Sequence, residues 1–300
     1  GMKISPSPSR GPEASQRTSL AIFIMSAASA LSAPCANTIS SLLVRAWNLF
    51  GAVTNCLPVN SETAFAIDPR IDGDDRRVAV RYFSPTAEVP FCGHATIALA
   101  VALAERRGEG VFRFATPVGE IAIRTAPGEE TPLASFTSVE PSVRDLAPDV
   151  ADELLGLIGV ASDDLDTRWP LREAFAGNAH PIVAIRERGV FDRFSFDPAA
   201  VRALMDREGW AGTVTVVHFG AAPDAVEARN LFPVGAITED PATGSAAAAL
   251  GAYVRDVLGS GTPSRIVVRQ GAHVQRPSVL LVEIPQRGGI TVSGTAVAIR

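Results

Sequence analysis

Lysine is nearly missing from this chain: Lys3 is the only one among 27 basic residues, the rest being arginine. A Schiff-base lysine or a P-loop lysine is therefore nearly excluded before any motif is read. Cysteine is as sparse, with Cys35, Cys56 and Cys92 forming an odd set without CxxC spacing. That argues against a disulfide framework and against a structural zinc site. The four histidines (His94, His180, His218, His273) are scattered, with no HExxH and no metal-ligand cluster. GxGxxG, GxxxxGK[ST] and GxSxG do not occur, so nicotinamide hydride transfer, P-loop chemistry and the hydrolase nucleophile elbow lack support. A net charge of −5 leaves no basic footprint for nucleic acid or an anionic membrane.

What is present is core-forming sequence. The 300 residues are 47% hydrophobic and 20% charged, which excludes a mostly disordered chain. The length allows one large domain or two of about 150 residues. Residues 1–18 are rich in Ser, Pro and Arg and read as a loop or arm. The following LAIFIMSAASALSAPCA, preceded by Arg10 and Arg17, has the grammar of a secretory signal. The rival reading is a buried strand, Leu20–Met25, then a helix from about Ser32 to Leu49. The cysteine usage is not that of a secreted protein, and the apolar run is too short to span a bilayer, so a cytoplasmic location is expected.

Alternation predicts strands at 61–67 and 78–84, followed by a small-residue helix that Gly108 ends. VFRFAT and GEIAIRTA form a strand pair, and residues 141–165 are acidic and helical in pattern. Strands at 181–187 and 213–220 flank a helix at about 198–208, and 225–232 is another strand. PVGAITEDPATG reads as a loop before a second small-residue helix, and strands at 266–269, 279–284 and 290–299 close the chain.

Two segments match: EVPFCGHATIALAVAL from Glu88 and EDPATGSAAAALGAYV from Glu239. At a shift of 151 positions they share Glu88/Glu239, Pro90/Pro241, Gly93/Gly244, Ala95/Ala246, Ala98/Ala249 and Leu99/Leu250. Upstream, Arg81 and Pro85 match Arg229 and Pro233. Strand, loop, glycine and helix thus occur twice, the mark of an internal duplication. A loop ending in glycine at a helix start leaves backbone N–H groups unpaired at the positive end of the helix dipole. Two such starts facing each other make a cleft for a small anionic ligand. Helices of Ala and Leu all round are buried ones, so the expected architecture is α+β: two pseudo-symmetric halves, each a curled sheet around a central helix. His94 and Ser245 follow the two glycines, and Asp240 lies in the second loop. His94 reads as a proton relay or donor to a substrate oxygen, or else as a helix cap. Asp240 reads equally as a ligand contact or a turn residue.

FSPTAEVPFCGHAT (83–96), NSETAF (60–65), ITEDPATGSAAAALGAY (237–253) and QGAHVQRPS (270–278) resemble the signature stretches of the PhzF-like family. These are phenazine-biosynthesis isomerases with the diaminopimelate epimerase fold. The resemblance implies a reaction without a cofactor, in which a proton moves between carbons of a small substrate. The family's acid/base, the Glu of the SET segment, falls here on Glu62. The resemblance gives substrate-holding or relay roles to His94, Asp240 and Ser245, and backbone contacts to Gly93 and Gly244. It also implies that Gln270 and Gly271 line the second half of the cleft. Diaminopimelate epimerases and proline racemases oppose two thiols; the matching positions here are Cys92 and Thr243, so a two-thiol racemase is disfavoured. The first 59 residues depart from the family, with neither its Asp-Val-Phe strand nor its Gly-Asn-Pro loop.

The expectation is therefore an isomerase of the PhzF type acting on a small carboxylate-bearing metabolite in the seam between a first half, 19–130, and a second, 131–289. The closing strand, about 290–300, packs back on the first half. The alternatives are a non-catalytic small-molecule binder on the same scaffold and a racemase using Cys92. No cofactor, metal, nucleic acid or membrane is expected, and a homodimer through edge strands is compatible with the fold.

Overall fold

Parallel strands need a crossover, and a helix of small residues is the crossover that a curled sheet can wrap most closely. The chain uses this unit twice. The computed structural model describes residues 24–25, 63–68, 70–83, 88–89, 91–221, 224–234 and 237–296. The first unit runs through β1 (Ile24–Met25), β2 (Thr63–Asp68), β3 (Arg77–Phe83), β4 (Glu88–Val89), α1 (Gly93–Arg107), β5 (Gly110–Thr116), β6 (Gly119–Ala126) and β7 (Leu133–Thr137). Next come β8 (Ser142–Asp145), α2 (Pro148–Leu157), β9 (Arg172–Phe175), β10 (Ala179–Ala184), α3 (Arg188–Arg193) and α4 (Pro198–Glu208). The second unit is β11 (Val214–Phe219), β12 (Ala225–Val234), β13 (Ile237–Asp240), α5 (Gly244–Leu258), β14 (Arg265–Gln270), β15 (Ser278–Glu283) and β16 (Thr291–Gly294).

The described strands form one continuous α+β sheet in the order β1-β2-β3-β5-β6-β7-β16-β15-β14-β12-β11-β10-β9-β8, with β4 on β3 and β13 on β12. The two units pair their strands alike. β3 runs parallel to β5 across α1, and β12 runs parallel to β14 across α5. Register agrees too: Thr63 faces Phe83, which faces Glu88, while Val214 faces Leu231, which faces Glu239. β16 joins the units by pairing with both β15 and β7.

Both central helices are buried along most of their length. Glycine and alanine let α5 sit close to its sheet: a Cβ on Gly251 would lie 2.8 Å from Val282 Cγ1 and 2.9 Å from Ile290 Cγ2. One apolar core surrounds both helices, and a second lies under α2, α3 and α4. Among the described residues no helix is long and apolar enough to cross a membrane.

Two expectations need correction. The acidic stretch 141–165 is not helical throughout, because Ser142–Asp145 forms the edge strand β8 against β9. Arg144 there reaches the buried Glu173 with two bonds of 2.8 Å, a cross-strand pair that outweighs the local helical pattern. The segment before α5 is not all loop, since Ile237–Asp240 pairs with β12 as β13. Strands β7 and β9 and the short helix α3 carry little periodicity of their own and were not expected. Residues 127–132 join β6 to β7 as a hairpin, and the expected 130/131 boundary falls within it. The expected helix at 32–49 and the arm 1–18 lie outside the described residues.

Candidate functional site

The two central helices begin against each other. A Cβ on Gly93 would lie 3.7 Å from Gly244 Cα and 3.9 Å from the Phe136 ring, so backbone meets backbone at the seam. Neither helix start is capped by a side chain, and neither first turn carries an acidic residue. The first intrahelical bonds are Thr96 N–H to Cys92 and Ala247 N–H to Thr243, both 3.0 Å. The amides before them have no acceptor within their own helix and add to the positive end of each dipole.

Each start is braced from behind. Thr96 Oγ1 donates to the Cys92 carbonyl at 2.8 Å, so its own oxygen accepts from the Tyr82 hydroxyl at 2.7 Å. Burial pushes the Tyr82 phenol well above its ordinary pKa, so it stays a donor. In the second unit Thr243 could have capped α5, but its hydroxyl is turned away and donates to Asp240 Oδ2 at 2.7 Å. The buried Gln270 amide completes that loop. It accepts from the Thr243 N–H at 3.2 Å and donates to the Asp240 carbonyl at 2.6 Å and to Thr243 Oγ1 at 3.0 Å. Gly271 follows at φ +82, where a Cβ would collide with the Arg276 carbonyl at 2.1 Å and the Pro241 carbonyl at 2.7 Å. Only glycine fits there.

Arginine anchors the hairpin ahead of each helix. Arg81 holds Glu88 across β3 and β4 on the half-exposed surface. Arg229 holds Glu239 across β12 and β13 in a buried setting, also donates to the carbonyls of Phe191 and Phe194, and stacks 3.8 Å from the Phe194 ring. Glu239 is the neighbour of Asp240, so this pair fixes the approach of the Asp240 carboxylate.

His94 and Asp240, from opposite units, come together with Nδ1 4.0 Å from Oδ1, and both side chains are largely buried. Cys92 Sγ lies 3.5 Å from His94 Nε2 and 3.7 Å from Nδ1. Ser245, the counterpart of His94, faces His180 Nε2 at 3.1 Å. The structure thus brings His94, Asp240, Gly93, Gly244 and Ser245 to one seam, with Gln270 and Gly271 supporting its second side. Glu62 lies outside the described residues; Thr63, next to it, is buried at the end of β2.

Sequence reading left His180, Thr213 and Phe136 without a role. Nothing in AHPIVA separates a ring packed on a helix start from a solvated one, because the partner Ser245 lies 65 residues further on. Phe136, on the unexpected β7, lies beneath both glycines.

Comparison with known proteins places the chain in a family. The family described as "Phenazine biosynthesis-like protein" matches residues 58–300. An uncharacterised isomerase of Mesorhizobium japonicum is 30% identical over 76% of this chain and 78% of its own length. The trans-2,3-dihydro-3-hydroxyanthranilate isomerase of Pseudomonas chlororaphis is 27% identical over 79% of this chain and 81% of its own. Among solved structures, a PhzF-family phenazine biosynthesis protein of Bacillus anthracis superposes with a TM-score of 0.64 at 22% identity, covering 74% of this chain and 79% of that one. That likeness speaks for the fold.

Proposed function

The chain belongs to the phenazine biosynthesis-like protein family, and on that premise we propose that it is an isomerase that moves a proton on a small carboxylate-bearing metabolite without a cofactor. The observation that carries this reading is the meeting of two uncapped helix starts at Gly93 and Gly244, with His94 and Asp240 facing each other at 4.0 Å. The amides of such starts hold a carboxylate in a place where a water-filled pocket would not. Once the anion is fixed, His94 of the first unit and Asp240 of the second stand together beside its adjacent carbon. His94 protonates or relays, Asp240 orients it, and Glu62 takes and returns the carbon-bound proton.

Register supports the Glu62 assignment. Thr63 and Val214 occupy equivalent positions in the two units, so Glu62 in sequence is the counterpart of Thr213. Thr213 stands in contact with His180, the residue that reaches Ser245 at the start of α5. The first unit therefore has an acidic residue where the second has a hydroxyl, the asymmetry that a one-base isomerase needs.

The test uses trans-2,3-dihydro-3-hydroxyanthranilate, the compound named for the Pseudomonas chlororaphis relative. Incubation in D₂O is followed by NMR for deuterium on carbon. Exchange that disappears in Glu62→Gln and persists in Cys92→Ser is the expected result. Persistence in Glu62→Gln removes the assignment. A second reading is favoured by one observation, the Cys92 thiol 3.5 Å from His94: a thiol base would make Cys92→Ser the inactive variant. Tight binding without exchange would instead mark a binding protein.

A further inference from the structure

A serine 3.1 Å from a histidine nitrogen ordinarily suggests a hydroxyl being activated by a base. Proton counting around His180 gives the opposite. Its ring is fully buried on β10. The Thr213 backbone N–H points at Nδ1 from 3.0 Å, which makes Nδ1 an acceptor. Thr213 Oγ1 is also near, at 3.1 Å, but its hydrogen goes to Asn230 Oδ1 at 2.7 Å, an oxygen that also receives the Thr215 hydroxyl at 2.8 Å. The Thr213 carbonyl lies 3.1 Å from Nδ1 as well, yet a hydrogen on Nδ1 would confront the buried Thr213 N–H. The ring hydrogen is therefore on Nε2, and Nε2 faces Ser245 Oγ.

The site is built to hold that ring. A Cβ on Gly212 would lie 2.4 Å from His180 Cε1, 2.7 Å from Nδ1 and 2.6 Å from the Ala179 carbonyl, so only glycine can close over it. Burial pushes the His180 pKa down to about 4, which keeps the ring neutral at ordinary pH. Among the described residues, Ser245 Oγ has no other hydrogen-bond partner.

We propose that His180 is a positioning residue: its Nε2–H fixes Ser245 Oγ as an acceptor, so that the serine's own hydrogen is given to an anionic oxygen seated at the start of α5. Ser245 is then a donor to the ligand and not a nucleophile, since His180, its partner, already carries hydrogen on Nε2 and cannot take its proton. The proposal rests on the reading of the seam as a carboxylate site, and it assigns one oxygen of that carboxylate to the second unit. It also accounts for the glycine at 212 and for the buried Thr213–Asn230 chain, which otherwise have no bearing on the site.

Two measurements on the full chain test it. The first is ¹H–¹⁵N correlation of the histidine rings at neutral pH without ligand. A neutral His180 with hydrogen on Nε2 is expected, and hydrogen on Nδ1, or on both nitrogens, overturns the proposal whatever the protein catalyses. The second is calorimetric titration with anthranilate, and with aniline as its carboxylate-free counterpart. Ser245→Ala is expected to weaken anthranilate about tenfold or more, the loss of one hydrogen bond to a charged group. His180→Phe should weaken it comparably, and the double variant no further, because the two residues act in series. His180→Gln supplies both a donor for Ser245 and an acceptor for Thr213 and is expected to restore binding to within about threefold, which also covers the case of His180→Phe failing to fold. Additive losses, or unchanged anthranilate binding in Ser245→Ala, overturn the proposal. Failure of the parent chain to bind anthranilate, with hydrogen found on Nε2, supports the His180–Ser245 arrangement and counts against the carboxylate reading instead.

Discussion

Gly93 and Gly244 touch across the seam, each serving as the first residue of its helix and each leaving room for the other's backbone. The two are not equivalent in the space they have left. A Cβ on Gly244 would come within 3.0 Å of Phe136 Cζ, whereas one on Gly93 meets nothing closer than 3.7 Å. Phe136 has little freedom to yield, being 6% exposed and packed edge-on against Phe91. Gly244→Ala is expected to cost about 1–3 kcal/mol by overpacking, and Gly93→Ala under about 1 kcal/mol. Urea midpoints of the two variants check this, and equal values would contradict the asymmetry.

The two arginine–glutamate pairs make a second comparison, because the same contact occurs once buried and once exposed. The Arg229 and Glu239 side chains are each 9% exposed, against 44% and 34% for Arg81 and Glu88. Removing one member of a buried pair strands the other charge, at a cost of about 3–5 kcal/mol. The exposed pair is worth about 0.2–1 kcal/mol. Glu239→Gln should therefore destabilise the protein several-fold more than Glu88→Gln in chemical denaturation. Similar losses for both would mean that Arg229 finds another acceptor among the Phe191 and Phe194 carbonyls it already contacts.

His180 carries a pH signature. Its pKa falls from 6.5 to about 4, burial being the main cause, opposed by the charge of Glu173. Between those values the unfolded chain binds a proton that the folded chain refuses, so stability rises with pH there. The contribution is complete above 6.5 and is lost as pH falls toward about 4. Its size is on the order of 3 kcal/mol. Denaturation midpoints taken at about pH 7 and about pH 4.5 should fall more in the parent chain than in His180→Gln. Parallel profiles would show that the ring is not held neutral.

How much of this was legible in the sequence depended on the range of each interaction. The limits of α1 could be read from Gly93 and Gly108, because capping is local. The matched Glu, Pro and Gly positions pointed to the helix starts at Gly93 and Gly244, which the structure brings together. Register-dependent features were not legible. Ile237–Asp240 looked like loop because its Pro and Gly neighbours dominate the local pattern, yet β12 offers it a partner. His180 gave no sign of its role, because strand position and ring orientation are set by β11 and α5, which lie far along the chain. The matched arginines and glutamates were visible as letters, but that they bind each other only the hairpin geometry shows.

The closing strand sets an order of events. β7 is made early in synthesis and has β6 on one side, but its other edge waits for β16, with Thr137 and Thr291 bonded across 154 residues. Loop closure over that distance is slow, and an unpaired edge in the meantime invites pairing with other chains. Phe136 sits on β7 opposite Val292, so the floor beneath Gly93 and Gly244 is finished only when β16 docks. The seam therefore takes its final shape only after Thr291–Gly294 has been made and has docked. Until β16 docks, the edge of β7 away from β6 stays unpaired, and the first unit keeps an open flank.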